Sequence, residues 1–394
     1  MAVKSIKDVD VAGKRVFCRV DFNVPLDASG SVRDDTRIVR ALPTVKYAKT
    51  QGARMILASH LGRPKGERRP EMSLRPVASR VSELLEGEVL FADDCVGPEA
   101  SEVVESLEPG GVALLENLRF HPQETKNDPE FARELAALGE VYVNDAFGTA
   151  HRAHASTVGV PGVLTVKAAG LLLKQELDSL HRAFADPAKP VVAIFGGAKV
   201  SDKLGVLENL LHRMDAVLIG GGMANTFLAA NGLNMGASKV EEDMVETAGN
   251  ILENAKSTGC KVLLPVDLVA ADRIEDPEEI WRVKADSVPA DGLALDIGAG
   301  TVDLFSKEIE QAGTIVWNGP MGVFEVSAFA LGTKHIARII ARMKAYSVVG
   351  GGDTVRAVQQ FGVADDISYI STGGGAFMEF MEGKTLPGVA ALEQ

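Results

Sequence analysis

The chain has 394 residues, more than one hydrophobic core usually supports, so two domains of similar size are expected. Apolar residues make up 46% of it, but charges or glycines interrupt every apolar run before it could span a bilayer. A net charge of −13 argues against a nucleic-acid or anionic-membrane surface, because both need a basic footprint; any anionic ligand must be met by a local cluster.

Cys18, Cys95 and Cys260 are too few and too scattered for a disulfide framework or a zinc site, and MAVKSIKDVDVAGK has no apolar leader core. A cytoplasmic address is expected.

In the first half, apolar runs recur at Val16–Val20, Met55–Ala58, Val89–Phe91, Val112–Leu115 and Val141–Val143, with helical patterns such as Pro76–Leu85 and Asp128–Leu138 between them. This alternation predicts βαβ units, a mainly parallel sheet and ligands beyond the carboxyl ends of its strands. The residues that follow the runs are polar: Asp21-Phe22-Asn23, His60-Leu61-Gly62-Arg63, Asn117 with Arg119, and Asn144-Asp145. Arg37 and the cluster His151-Arg152-Ala153-His154 can reach the same rim from loops. One such residue alone is ordinary loop chemistry. Their convergence predicts a basic pocket for a small, multiply charged anion. His121, His181, His212 and His335 have no sequence neighbours that suggest chemistry and read as structural.

Ala168–Phe184 carries Leu173, Leu177, Leu180 and Phe184 at helical spacing, with Pro161-Gly162 before it and Asp186-Pro187 after it. A helix placed there could couple two lobes, although the pattern alone fits an ordinary surface helix within one domain at least as well.

In the second half, strand-like runs lead into glycine turns. Val191–Phe195 precedes Gly196–Lys203, Ala216–Ile219 precedes Gly220-Gly221-Gly222, and Thr314–Trp317 precedes Asn318-Gly319-Pro320. Ser347–Val349 precedes Gly350–Thr354, and Ile367–Ile370 precedes Ser371–Gly375. Glycine lets backbone amides approach an anion, and a helix N-terminus favours negative charge. Repetition, with Lys199, Lys203, Asp353 and Glu325 nearby, predicts a nucleotide phosphate site, although helix caps and tight turns use single glycines just as readily. Neither the Walker pattern nor, after the first strand of this half, the dinucleotide fingerprint is present, which disfavours a dehydrogenase. Asp353 is the best candidate for holding Mg²⁺ on a nucleotide, with a helix-capping role as the plain alternative.

An anion pocket in one lobe and a nucleotide site in the other suggest phosphoryl transfer. No residue stands out as a base, which suits a carboxylate acceptor already ionised near neutral pH. Arg37, Lys203, Mg²⁺ and the glycine helix starts can then neutralise the transferring group.

The stretches Arg19–Pro25, Ser59–Pro64, Glu116–Phe120, Val143–His154, Gly196–Lys203, Trp317–Glu325, Gly350–Thr354 and Ser371–Ala376 together resemble phosphoglycerate kinase, in order and nearly end to end. The resemblance implies two Rossmann-like α/β lobes, each a mainly parallel sheet flanked by helices, joined by an interdomain helix with a cleft between them. It assigns 1–167 to 3-phosphoglycerate binding, 168–186 to the interdomain helix and hinge, 187–375 to nucleotide binding, and 376–394 to a segment returning to the first lobe. The implied reaction is reversible transfer from 1,3-bisphosphoglycerate to ADP, giving 3-phosphoglycerate and ATP in glycolysis, with Mg²⁺ as MgATP or MgADP, in a monomer that uses neither nucleic acid nor membrane.

By the same resemblance, Asp21, Phe22, Asn23, Arg37, His60, Leu61, Gly62, Arg63, Arg119 and Arg152 bind the glycerate substrate. Gly197, Lys199, Lys203, Gly220, Gly221 and Asn318 are expected at the nucleotide, as are Glu325 at its ribose and Gly351, Gly352, Asp353 and Thr354 at its phosphates and metal. Arg37, Lys203, Gly351 and Gly374 take the catalytic roles. Ala294 stands where many relatives have glycine against the base. The alternative is a catalytically silent nucleotide-binding scaffold of the same fold, which would have no use for charges such as Arg37 and Lys203 aimed at a transition state.

Overall fold

In a computed structural model, which describes residues 3–393, every apolar run of the first half becomes a strand of one sheet. Met1, Ala2 and Gln394, at the outer ends of segments 1–167 and 376–394, lie outside the described residues. The strands are β1 (Arg15–Val20), β2 (Arg54–Ala58), β3 (Leu90–Ala92), β4 (Val112–Leu115), β5 (Val141–Asp145) and β6 (Val166–Ala169), in the order β3-β4-β2-β1-β5-β6. All their pairings are parallel. β4 and β5 are buried along their whole length, as expected for strands covered on both faces.

The helix expected from Ala168 starts later, at Leu171, and runs to Phe184. Val166–Ala169 instead extends the sheet against β5. The switch is made by groups that accept the helix's first amides: Thr44 Oγ1 takes Leu171 N at 2.8 Å, and buried Asp145 takes Leu173 N at 3.0 Å. Gly170 makes room for that carboxylate, since a Cβ there would lie 2.2 Å from Asp145 Oδ1.

Burial raises the Asp145 carboxyl to about 7, against weaker opposing hydrogen bonds from Thr44 and Leu173, and its Oδ2 has no hydrogen-bond partner. A folded pKa above the unfolded one contributes stability that is complete below the ordinary carboxylate range and is lost as pH rises through about 7. Asp145→Asn cannot ionise. It should therefore lose about 2 kcal/mol less stability than the parent between pH 5 and pH 8, read from urea unfolding at the two pH values; parallel losses in both proteins would refute this.

The described chain divides into two compact units, residues 3–178 with 385–393, and residues 179–384. The division falls inside the helix Leu171–Phe184. The terminal helix Pro387–Glu393 joins the first unit, where Gly388 N donates to Ala150 O at 2.8 Å.

The second unit holds β7 (Val191–Phe195), β8 (Ala216–Ile219), β9 (Lys261–Leu263), β10 (Asp267–Ala271), β11 (Ile280–Lys284), β12 (Leu293–Ile297), β13 (Thr314–Asn318), β14 (Tyr346–Gly350) and β15 (Tyr369–Ile370). Its parallel sheet runs β15-β14-β13-β7-β8-β9. The chain builds outward from β7 on one side, then returns to β13 on the other. This is the doubly wound order whose ligand crevice opens between the two central strands. A second, antiparallel sheet, β11-β10-β12, was not expected from the sequence. β11 reads Ile-Trp-Arg-Val-Lys and alternates between exposed and half-buried, so it has no continuous apolar run to reveal it.

Candidate active site

In the first unit the carboxyl ends of β1, β2, β4 and β5 share one sheet edge. Arg37 Nη1 donates to Asp21 Oδ2 at 2.9 Å, and Asn23 Oδ1 accepts Gly62 N at 2.9 Å. Phe22 N donates to Ser59 Oγ at 2.8 Å. Asn117 Nδ2 ties down Leu61 O at 2.8 Å and Met72 O at 2.9 Å, and Arg119 Nη1 donates to Gly62 O at 2.8 Å. Backbone around residues 60–63 is thus held by side chains from two other strand ends. Arg63 stands exposed beside it, and Arg152 Nε lies 3.1 Å from His151 Nε2.

Beneath this rim is a residue whose role the sequence reading missed. Arg19, within β1, is fully buried, donates to Ser156 Oγ at 2.9 Å and lies 3.1 Å from His60 Nδ1. Ser156 Oγ in turn donates to buried Glu124 at 2.6 Å. Because guanidinium only donates, His60 Nδ1 must accept, which places the proton of the neutral ring on Nε2. The signal that could have found Arg19 is a charge inside an apolar strand, since a buried charge requires built partners.

The field at this rim is strongly positive. Burial, then Arg19, Arg119, Arg152 and Arg37, hold the His60 imidazole well below its ordinary value. Burial and neighbouring guanidiniums likewise lower His154 to about 4. Arg119 is brought down to about 10 by burial, then by Arg19 and Arg152, and its Nε and Nη2 are buried without hydrogen-bond partners. Unpaired buried guanidinium nitrogens are costly, and an anion would satisfy them.

In the second unit, the expected nucleotide residues gather where β7 and β13 adjoin. Buried Lys203 Nζ donates to Asn318 O at 2.7 Å and also to Asn318 Oδ1. Asn318 Nδ2 donates to Gly350 O at 3.0 Å, and Gly319 N to Thr354 Oγ1 at 2.7 Å. Gly197 and Gly221 are joined through neighbours: Gly197 N donates to Pro320 O at 2.9 Å and Gly221 N to Met321 O at 3.0 Å. Gly220 N closes the set on Phe195 O at 2.7 Å. Gly351, in the left-handed region at φ 90°, precedes the helix Gly352–Gln360, which carries exposed Asp353 in its first turn. Gly374 stands before the helix Gly375–Met381. Lys199 is exposed.

Burial lowers Lys203 to about 7, only partly opposed by Asp202 and Asp353. Glu241, also missed from sequence, anchors the loop between β7 and Lys203, accepting from Val200 N, Ser201 N and Ser201 Oγ. Gly319 sits where no side chain fits, since at φ 101° a Cβ would lie 2.2 Å from Gly196 O and 2.6 Å from Lys203 Nζ. Gly319→Ala should cost about 2 kcal/mol of stability from strain and loosen nucleotide binding; an unchanged urea midpoint would show that the loop adapts.

A family model described as phosphoglycerate kinase matches residues 6–384. The chain belongs to the phosphoglycerate kinase family. It is 56% identical over 393 residues to the phosphoglycerate kinase of Desulforudis audaxviator, covering 100% of both chains. Over 402 residues it is 56% identical to that of Koribacter versatilis, covering 100% of this chain and 99% of the relative. Its fold matches the phosphoglycerate kinase structure from Coxiella burnetii with a TM-score of 0.93 and 43% identity, over 100% of this chain and 99% of that one. The Pyrococcus horikoshii enzyme matches with a TM-score of 0.86 and 35% identity, over 99% and 98%. The chain is thus a phosphotransferase with a carboxyl group as acceptor, and the two-lobed parallel α/β fold expected from the sequence is the family's fold.

Two features involve none of the expected site residues. A cavity of about 950 Å³ between the loop Ser29–Asp35 and the helix Arg75–Leu85 contains none of the expected site residues. His121, read as structural, meets Asp94 at 2.6 Å and stacks on Phe131.

Proposed function

We propose that the basic edge of the first unit binds the glycerate substrate and that the β7–β13 crevice of the second binds MgADP or MgATP. The observation that carries the reading is Arg119: buried, surrounded by other guanidiniums, with two nitrogens that only an incoming anion would pair. Asp21, Asn23, Arg37, His60, Arg63, Arg119 and Arg152 take the phosphate or carboxylate, with His60 Nε2–H as a neutral donor among cations. Lys203, Lys199 and the turn Gly351–Thr354 take the nucleotide phosphates, and Glu325 takes the ribose.

In the transfer, the bond from phosphorus to the acyl oxygen breaks as a bond to the β-phosphate oxygen of ADP forms. The leaving carboxylate and the attacking phosphate oxygen are both ionised near neutral pH, so neither needs a proton moved. The protein's part is to orient the two oxygens in line and to offset charge on the transferring group, with Arg37, Lys203 and the amides beyond Gly351 and Gly374. Asp353 fits Mg²⁺, which favours a carboxylate plus phosphate oxygens, and the bound ion would add charge neutralisation at the phosphates.

The division of labour extends to segments: 1–167 for the triose, 187–375 for the nucleotide and 168–186 as hinge; of the segment 376–394 expected to return to the first lobe, residues 376–384 belong to the second unit and only the part from Thr385 to the first. Three free, buried cysteines support a cytoplasmic address, and the acidic charge supports small-molecule partners over nucleic acid or membrane.

Calorimetric titration tests the anion assignment. The parent should bind 3-phosphoglycerate and discriminate strongly against glycerate, whereas Arg119→Ala should bind 3-phosphoglycerate about 10- to 100-fold more weakly, as for loss of charge-assisted bonds. Undiminished affinity in Arg119→Ala would contradict the assignment.

A further inference from the structure

We propose that Arg356 is an internal counter-ion that holds the two carboxylates of the nucleotide site when the nucleotide is absent and must release both when it binds. The inference rests on the reading above of Asp353 as the metal ligand and Glu325 as the ribose ligand.

Three contacts place the guanidinium. Arg356 Nη2 pairs with Asp353 Oδ1 at 3.1 Å, one turn earlier on the same helix, and with Glu325 Oε1 from the loop beyond β13. The guanidinium lies over the Phe324 ring, 5.0 Å from its centroid, and that ring is buried against Phe361. The buried ring beneath it supports the guanidinium, and a single NH₂ group, with two N–H bonds, serves both acceptors.

A Mg-nucleotide asks for the same oxygens. Asp353 must turn to the metal and Glu325 to the ribose hydroxyls, so both pairs with Arg356 break. The side chains are 55%, 48% and 71% exposed for Arg356, Glu325 and Asp353, so solvent and salt weaken each pair. The competition is therefore modest. It lowers nucleotide affinity while keeping two adjacent carboxylates from standing unneutralised in the empty site.

The test is calorimetric titration of MgADP into the full chain and into its Arg356→Ala and Arg356→Lys variants, at low and at high salt. Arg356→Ala should bind MgADP about two- to tenfold more tightly at low salt, with the gap closing in molar salt. Arg356→Lys keeps the charge but not the planar fork and should fall between. Equal or weaker binding by Arg356→Ala overturns the proposal, because Arg356 would then be idle or would itself hold the nucleotide. Asp353→Asn separates this from the parent reading: if ADP affinity keeps its full Mg²⁺ dependence in that variant, the metal assignment fails, and the counter-ion proposal fails with it. If that dependence is lost while Arg356→Ala changes nothing, the counter-ion alone is wrong.

Discussion

Arg37→Ala should lower turnover by about three orders of magnitude or more, the loss seen when a cation aimed at a transferring phosphoryl group is removed, while MgADP affinity stays within about twofold of the parent. Arg37 lies in the first turn of the helix Thr36–Thr50 and is exposed, paired with Asp21 at 2.9 Å. A side chain so placed contributes little to folding, since exposed ion pairs are weak. Its proposed role is charge delivered to the reaction. Because it belongs to the first unit and the nucleotide residues to the second, binding and turnover should separate cleanly. A variant turning over at the parent rate would remove Arg37 from the mechanism. One that lost MgADP binding equally would make it a nucleotide ligand instead.

Lys203→Ala should reduce turnover by about 100- to 1000-fold and also weaken triphosphate binding. The lysine is buried on Asn318, and burial holds its pKa near 7, so the ligand-free side chain is largely neutral at pH 8. Bound phosphates would favour the ammonium and raise that pKa. MgATP binding at pH 8 should consequently take up close to one proton in the parent and much less in Lys203→Ala. Calorimetry in buffers of different ionisation enthalpy measures the difference directly. Equal uptake by both proteins would assign the proton elsewhere, and a variant with normal turnover and normal affinity would require the site to be redrawn.

Much of this arrangement was legible because parallel strands buried on both faces read as plain apolar runs, and the residues just past them must lie on the ligand edge. His60, Asn117 and Arg119 were found that way, as were the glycine turns after β7, β8, β13 and β14. What stayed hidden depends on contacts distant in sequence. Arg19 became intelligible only with Ser156 and Glu124 in place, 137 residues from Arg19 to Ser156. Glu241 reaches back to Ser201 across 40 residues. The start of the helix at Leu171 was set by Thr44 and Asp145, which no local pattern announces. The antiparallel β11-β10-β12 sheet was missed for a different reason: its strand β11, Ile-Trp-Arg-Val-Lys, alternates between exposed and half-buried and leaves no apolar run to see, so nothing marked a partner for β10.

The most direct test is a coupled assay of ATP consumption with 3-phosphoglycerate and Mg²⁺, run beside glycerate as acceptor and beside EDTA. Turnover that requires both the substrate phosphate and the divalent ion is the predicted result. ATP bound without turnover, or equal rates with glycerate, would contradict it.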